Sequence, residues 1–137
     1  MSLFNVFDSA GSALNAHSIR LNTTSSNLAN ANSASSSDGE TYRARHPVFA
    51  PIMQQLGGDG SSVGVRVQGI VESQEPLRME HNPGHPLANE EGYIFLPNVN
   101  VVEEMANMIS ASRAYQTNVE VMNSAKQMMM RTLALGQ

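Results

Sequence analysis

The sequence has 137 residues, a hydrophobic share of 41%, no cysteine and a formal net charge of -4. This length predicts a single structural unit without room for a separate catalytic module. The negative charge and the lack of a Lys or Arg cluster argue against nucleic acid or an anionic membrane as partner, and the missing cysteines exclude a disulfide framework and a cysteine metal site.

The first residues of the sequence do not show the pattern of a cleaved signal peptide. They lack the basic residues and the unbroken apolar run of a secretory signal peptide. No stretch of the sequence approaches the roughly 18 apolar residues that a membrane-spanning helix needs. We therefore expect any export of the protein to use a signal that is not cleaved.

The N-terminal segment, residues 1–35, is predicted to be a helix with a seven-residue repeat. Large apolar side chains recur at Phe7, Leu14, Leu21 and Leu28, with Leu3, Ala10, His17, Thr24 and Ala31 interleaved. This spacing predicts a seam for packing against another helix. The surrounding Ser, Asn and Thr residues have poor helix propensity, so we expect the helix to be marginal alone.

His17 lies on this predicted seam. The simpler interpretation is a polar position that faces a neighbouring helix, and the alternative is that its charge near pH 6 tunes the packing.

The middle segment, residues 36–98, holds all six prolines and most of the glycines. This composition excludes a long helix and predicts short strands joined by turns. The patterns predict strands at Thr41–Phe49, Val63–Val71 and Tyr93–Leu96.

Prolines and glycines predict further features of this segment. Pro47 and Pro51 would restrict the first strand to a sheet edge or a bulge. Gly57–Gly58–Asp59–Gly60 predicts a flexible loop, and Asn82–Pro83–Gly84–His85 predicts a type II turn with Pro and Gly at the central positions.

The last segment, residues 99–137, gives the clearest helical pattern. Asn100 is the expected N-cap, with Glu103 three residues later, and Gly136 is placed to end the helix. At about 1.5 Å per residue the helix would be roughly 50 Å long. Its predicted seam alternates spacings of four and three: Val101, Met105, Met108, Ser112, Tyr115, Val119, Met122, Lys126, Met129 and Leu133.

Apolar residues of the last helix also lie outside this seam, at Val102, Ile109, Val121, Met128 and Met130. Such a distribution needs more than one packing partner. We therefore predict an α+β protein whose terminal helices pair as an antiparallel coiled coil, with a small, mostly extended middle segment. Residues 1–35 and 99–137 would form one helical tube domain that packs with copies or relatives of itself.

Fourteen residues are predicted to lie at subunit interfaces. They are Phe7, Leu14, Leu21, Asn27, Leu28, Asn30, Met105, Met108, Ile109, Tyr115, Val119, Met122, Met129 and Leu133. For Asn27 and Asn30 two interpretations remain open: caps and turn residues, or amides that bond between subunits and set the register. Tyr115 is either an interface anchor or a core residue of its own chain.

Glu80, His81 and His85 raise the alternative of a metal site, because two histidines four residues apart share one face of a helix. Pro83 and Gly84 are incompatible with a helix between these histidines, so the favoured interpretation is two solvated histidines in a turn. We assign no catalytic, cofactor-binding or metal residue.

Two acidic pairs, Glu90–Glu91 and Glu103–Glu104, are interpreted as solvated faces or caps, since adjacent helical residues point apart. The rival function is a binding module or small metalloenzyme in the middle segment, with the helices as an oligomerisation handle. Calorimetric titration with zinc would separate this function from structural assembly.

Specific strings of residues, spread over essentially the whole chain, resemble the flagellar rod, hook and hook-associated proteins. Within this group the resemblance is to the rod proteins. The first string is Ser26-Asn27-Leu28-Ala29-Asn30-Ala31-Asn32 after a heptad helix. The others are Asn5-Val6-Phe7-Asp8, Gly39-Glu40-Thr41-Tyr42-Arg43-Ala44, the segment from Pro97 to Met105, Ser110-Ala111-Ser112-Arg113-Ala114-Tyr115-Gln116, and Leu133-Ala134-Leu135-Gly136-Gln137.

This resemblance implies a subunit of the proximal rod, the drive shaft that crosses the bacterial periplasm, with no catalysis and no cofactor. It implies export without signal cleavage through the flagellar type III apparatus. It also implies assembly with copies of itself, with other proximal and distal rod proteins and with an adaptor at the inner-membrane ring. The terminal helices would form the inner tube around the export channel, and the middle segment its outer surface.

Overall fold

The structure is a computed structural model that describes residues 3–53 and 62–135. Two long helices, α1 (Leu3–Asn30) and α2 (Val101–Leu135), flank a short 3-10 helix (Asp38–Glu40) and four strands. The strands are β1 (Arg45–Met53), β2 (Ser62–Glu72), β3 (Arg78–His81) and β4 (Tyr93–Leu96). The predicted α+β class is confirmed.

The two helices pack against each other in opposite directions. Near the end of α1, Asn27 Nδ2 donates a hydrogen bond to Glu104 Oε2 at 3.0 Å. One full heptad earlier in α1, Arg20 Nη2 donates to Asn107 Oδ1 at 2.8 Å. Moving backwards along α1 therefore moves forwards along α2, and the predicted pairing of the terminal helices is confirmed.

The face of α2 that meets α1 overlaps the predicted seam only in part. Its buried residues are Glu104, Ala111 and Ala125, and half-buried Met108, Asn118, Met122 and Met129 continue the same stripe. Met108, Met122 and Met129 belong to the predicted seam as well. At the alternate positions the prediction placed Met105, Val119 and Lys126, each one residue after the residue observed, and all three are exposed. Small side chains are favoured at Ala111 and Ala125 because they let the two helix axes approach closely.

The facing surface of α1 is built from small residues as well. Ala10, Thr24 and Ala31 are buried, whereas the large members of the heptad, Phe7, Leu14, Leu21 and Leu28, are only half-buried. The helix ends at Asn30, within the predicted segment 1–35. Arg78 Nη2 donates to the carbonyl oxygen of Ala31 at 3.1 Å and so satisfies a backbone acceptor just beyond the helix.

The start of α2 follows the predicted capping pattern. Asn100 Oδ1 accepts hydrogen bonds from the backbone N–H groups of Val102 at 3.1 Å and Glu103 at 3.3 Å. These bonds satisfy donors that have no partner within the helix. The description of α2 reaches Leu135, so the predicted stop at Gly136 lies outside the described residues.

Strands β1 and β2 form an antiparallel hairpin, with Arg45 opposite Glu72 and Met53 opposite Ser62. The register shifts between Val48 and Phe49 and again before Met53, which are β-bulges. Pro47 and Pro51 thus lie in a bulged strand of a two-stranded sheet, as predicted. The predicted loop Gly57–Gly58–Asp59–Gly60 lies outside the described residues.

The strand boundaries differ from the predicted ones for a physical reason. Strand β1 was predicted from Thr41 but begins at Arg45. The residues just before Arg45 form hydrogen bonds that involve side chains and do not pair with a strand. Thr41 Oγ1 donates to Ser37 O at 2.7 Å, and Ala44 N donates to Asn98 Oδ1 at 2.8 Å. These bonds hold residues 41–44 in a loop.

Strand β2 of the hairpin approaches α1 closely at Ser12. Val65 N donates to Ser12 Oγ at 3.0 Å. A Cβ atom on Gly64 would lie 2.6 Å from that oxygen, so any other residue here would force the Ser12 side chain to move. Val65 and Val67 are half-buried while Arg66 and Gln68 are exposed, which agrees with the predicted alternation.

A second antiparallel pair joins β3 to β4. Strand β4 has the predicted bounds, whereas β3 was not predicted because all four of its residues are exposed and show no apolar alternation. The predicted turn at residues 82–85 forms, with His85 N donating to Asn82 O at 3.1 Å. The type II assignment is wrong: Gly92, at φ 79°, is the glycine with positive φ in the described part of the chain, and Gly84 is not.

The fully buried apolar cluster is small. It consists of Ala31, Ala44 and Val99, with Tyr42 packed against it, at the junction of both helices and β1. Across residues 3–53 and 62–135, neither helix combines the length and apolar character needed to cross a bilayer.

Candidate assembly interface

Asn27 is at the centre of a polar junction between α1, β1 and α2. Its Oδ1 accepts hydrogen bonds from Arg45 N at 2.9 Å and Tyr42 Oη at 2.8 Å. Its Nδ2 donates to Arg45 O at 2.8 Å and to Glu104 Oε2 at 3.0 Å. The side chain is 0% exposed, and each of its polar atoms has two partners within the chain.

This geometry revises the interpretation of Asn27. An amide whose donors and acceptor are used inside one chain has no capacity left for a neighbouring subunit. Asn27 is therefore placed in the interior of the protomer, where it fixes the start of β1 against both helices. Asn30 is half-buried, and its Nδ2 donates to Ser26 O at 2.8 Å, a local bond near the end of α1.

Two members of the junction were missed at the sequence level. Glu104 was interpreted as a solvated or capping carboxylate but is only 3% exposed. Its spacing of four from Met108 and seven from Ala111 is the signal that could have placed it on the inner face of α2. Tyr42 belongs to a loop without periodicity, and no sequence signal predicts its contact with Asn27.

The first turns of α2 expose apolar side chains on the side that faces away from α1. Val102 is 77% exposed and Ile109 53%, and one helix face carries both because they are seven residues apart. We call this surface the outer face of α2. It consists of Val102, Met105 and Ile109. The other exposed apolar residues in this part of α2 lie at other angles around the helix: Val101, Tyr115, Val119 and Val121.

The remaining predicted interface residues fall into two groups. Met105, Ile109, Tyr115, Val119 and Leu133 are exposed. Phe7, Leu14, Leu21, Leu28, Met108, Met122 and Met129 are half-buried. Tyr115, at 38% exposure, is not enclosed in the core of its own chain.

The hairpin carries a second set of exposed apolar residues, on both of its faces, that the sequence did not single out. Its residues are Val48, Phe49, Ile52, Ile70 and Val71. A pattern search does not find them because the prolines of β1 and the bulges of the hairpin interrupt the regular alternation.

His17 lies in α1, and its Nδ1 atom is buried without a hydrogen-bond partner in the described part of the chain. Burial disfavours the charged imidazolium, and nearby Arg20 adds like-charge repulsion, so the pKa of His17 is lowered from 6.5. This residue is therefore favoured in its neutral form in the folded chain.

The histidines of the turn each have a local partner. His81 packs edge-on against Tyr93 with ring centroids 4.9 Å apart. His85 Nδ1 accepts a hydrogen bond from Leu87 N at 3.1 Å. Within residues 3–53 and 62–135, no three His, Asp or Glu side chains are grouped as a metal site would require.

Comparison with known families matches both helical segments. Residues 7–34 match the family described as flagella basal body rod protein. Residues 90–135 match the family described as flagellar basal body rod FlgEFG protein C-terminal. The two matches cover most of α1 and α2, which carry the junction and the outer face.

Curated relatives match over the whole chain and bear one name, flagellar basal-body rod protein FlgC. The relative from Escherichia coli O157:H7 is 52% identical, and the one from Salmonella typhimurium is 51% identical, with 100% of both chains covered in each case. The relative from Borreliella burgdorferi is 38% identical, covering 100% of this chain and 99% of its own.

The paired terminal helices and these matches define a structural component of the flagellar basal-body rod. At such identity over the full length, the chain belongs to the FlgC family of rod proteins.

Proposed function

We propose that the chain polymerises through α1 and α2 into the proximal part of the rod, the drive shaft that crosses the periplasm. The observation that carries this proposal is the outer face of α2, which remains uncovered although α2 already packs on α1. Contiguous apolar surface of this kind usually marks an interaction site.

The proposed assembly is a tube of parallel contacts between neighbouring helix pairs. Burial of apolar area at many equivalent contacts provides the stabilisation, at about 25 cal/mol per Å². Torque is then shared among many contacts, and the tube encloses the export channel. Residues 1–35 and 99–137 form the tube domain, and residues 36–98 form the outer surface.

The proposed partners are copies of the chain, other proximal and distal rod proteins, the adaptor at the inner-membrane ring and the type III export apparatus. Export without a cleaved signal brings the chain to the periplasm. We propose no enzymatic activity and no cofactor, because the matching relatives and family are named as rod proteins.

Substitution of Ile109 by Asp tests this proposal. A carboxylate placed in an apolar contact must be desolvated, which costs several kcal/mol. We expect Ile109→Asp to abolish rod assembly and swimming motility, while the purified chain keeps its melting temperature because Ile109 is 53% exposed there.

The matched control is Ser110→Asp, the same new charge at the next exposed residue of α2. We expect this variant to assemble. Normal rods built from Ile109→Asp protein would refute the use of this face in assembly.

A further inference from the structure

We propose that two copies of the free chain pair edge to edge through β2, antiparallel and around a two-fold axis, to form a closed four-stranded sheet. The pairing uses the hairpin and neither terminal helix. It concerns the chain before it enters a rod and does not depend on the proposed polymerisation. The two outer edges of the hairpin differ, because one is closed to a further strand and the other is open.

The outer edge of β1 is closed. Asn27 accepts a hydrogen bond from Arg45 N at 2.9 Å and donates one to Arg45 O at 2.8 Å. Antiparallel strands alternate between residues that bond to the paired strand and residues that point outwards, so Pro47 and Pro51 occupy further outward positions of β1. Proline has no N–H for another strand. This side of the hairpin therefore cannot form a regular ladder.

The outer edge of β2 is open in its second half. Ile70 and Glu72 lie opposite Pro47 and Arg45, so their backbone groups point outwards as well. Every residue from 68 to 72 is exposed. The N–H and C=O of Ile70 have no partner in the described part of the chain. An unpaired edge of this kind is a template for another strand.

The second sheet offers no comparable edge. Phe95 of β4 exchanges two backbone hydrogen bonds with Ser35, both at 3.0 Å, and Asn89 N donates to Tyr93 O at 2.9 Å. Strand β3 is only four residues long. Among residues 3–53 and 62–135, β2 therefore carries the longest strand edge that is free to pair.

The free edge of β2 suits an antiparallel copy of itself. A two-fold axis at Ile70 places this residue opposite its own equivalent, and cross-strand pairs of β-branched side chains stabilise a sheet. Arg66 lies near the start of β2, whereas Glu72 and Glu75 lie at and beyond its end. Antiparallel pairing brings the basic end of each copy towards the acidic end of the other. Arg66 is exposed and has no ion-pair partner among the described residues.

The resulting assembly stops at two copies. Pairing gives the strand order β1–β2–β2–β1, and both outer strands are then β1, whose edge is closed by Asn27 and the two prolines. A two-fold contact uses the same surface on both copies and closes on itself, whereas growth of a rod needs contacts that continue from copy to copy. The pair therefore belongs to the free chain and separates before assembly.

Sedimentation of the purified full-length chain tests this pairing, in an Ile109→Asp background that removes the proposed assembly contact. We expect the average mass to rise from 14.8 kDa towards twice that value, and no further, at concentrations up to about 1 mM. Ile70→Lys should weaken the association about tenfold or more, because it places two like charges directly opposite each other. The matched control Val48→Lys puts the same charge on an exposed residue of β1 and should dimerise normally.

Disulfide crosslinking tests the register, because the chain contains no cysteine of its own. Opposite residues of a hydrogen-bonded antiparallel pair have Cα atoms about 5.5 Å apart, within the range of a disulfide. We expect Ile70→Cys to form a covalent dimer under mild oxidation about tenfold faster than Val48→Cys. Equal rates for the two variants would overturn the proposed register.

Three sedimentation results would overturn the pairing: a monomer at every concentration, equal dimerisation of Ile70→Lys and Val48→Lys, or species larger than a dimer. These outcomes are separable from failure of the proposed function. Assembly of Ile109→Asp is measured in rods, whereas the pairing of β2 is measured on the purified chain, so either proposal can fail while the other stands.

Discussion

Asn27 acts inside the protomer much as a neighbouring strand acts in a sheet. Its amide pairs with both the N–H and the C=O of Arg45, the first residue of β1. Without this side chain, two backbone groups and one carboxylate oxygen would be left without these partners in a buried junction. A conformation-setting role thus explains the residue that the sequence associated with subunit contacts.

Replacement of Asn27 by Ala should lower the free energy of unfolding by about 3 kcal/mol, because each buried group that loses its hydrogen bond costs about 1–3 kcal/mol. Urea denaturation of the purified chain measures this loss. Asn22→Ala, at an exposed position of the same helix, should change stability by less than about 0.5 kcal/mol. Equal stabilities of the two variants would contradict the junction.

His17 should make the stability of the chain depend on pH. Its folded pKa lies below 6.5, first through burial and second through Arg20, so the unfolded chain binds the proton more readily. The contribution of His17 to stability is then fully present above the unfolded pKa and is lost as the pH drops below 6.5 towards the folded pKa.

We expect His17→Leu to lose less stability than the unmodified chain between pH 7 and pH 5, as measured by urea denaturation at each pH. The other titrating groups are common to both chains and cancel in this comparison. Parallel curves for the two chains would refute the assigned role of His17.

At the level of elements, sequence patterns located both helices and β4 well but assigned only part of the inner face of α2. Periodicity weighs the large apolar residues, such as Met105 and Val119, whereas the observed contact selects Ala111 and Ala125. A search for apolar stripes cannot distinguish a face that packs inside the chain from one that is left exposed. Strand β3 was missed because its stabilisation comes from pairing with β4 and not from burial.

Close packing at Ala111 gives a prediction for the helix pair. Ala111 is 0% exposed, so Ala111→Leu should force α1 and α2 apart and destabilise the chain by about 1–3 kcal/mol. Ala106→Leu, the same change at an exposed position of α2, should be near neutral. Thermal unfolding followed by circular dichroism compares them, and matching melting temperatures would show that the face is assigned wrongly.

Considered as a whole, the molecule keeps polar groups inside and apolar groups outside to an unusual degree. The buried set includes Thr23, Thr24, Asn27, Thr41 and Glu104, while the exposed set includes seven large apolar residues of α2 between positions 101 and 121. A small apolar core provides little stabilisation to a solitary chain. Membership of the rod protein family supplies a reason for this distribution, since neighbouring subunits can cover what the protomer leaves exposed.

The most direct test measures whether the outer face of α2 is covered in the rod. A cysteine at Met105 is labelled by a maleimide in the purified chain and in isolated basal bodies, with Gln68→Cys on β2 as the control. The account predicts that the labelling rate at position 105 falls by about tenfold or more in basal bodies, because interface cores exclude water, while position 68 is labelled equally in both. An undiminished rate at position 105 in intact basal bodies would contradict it.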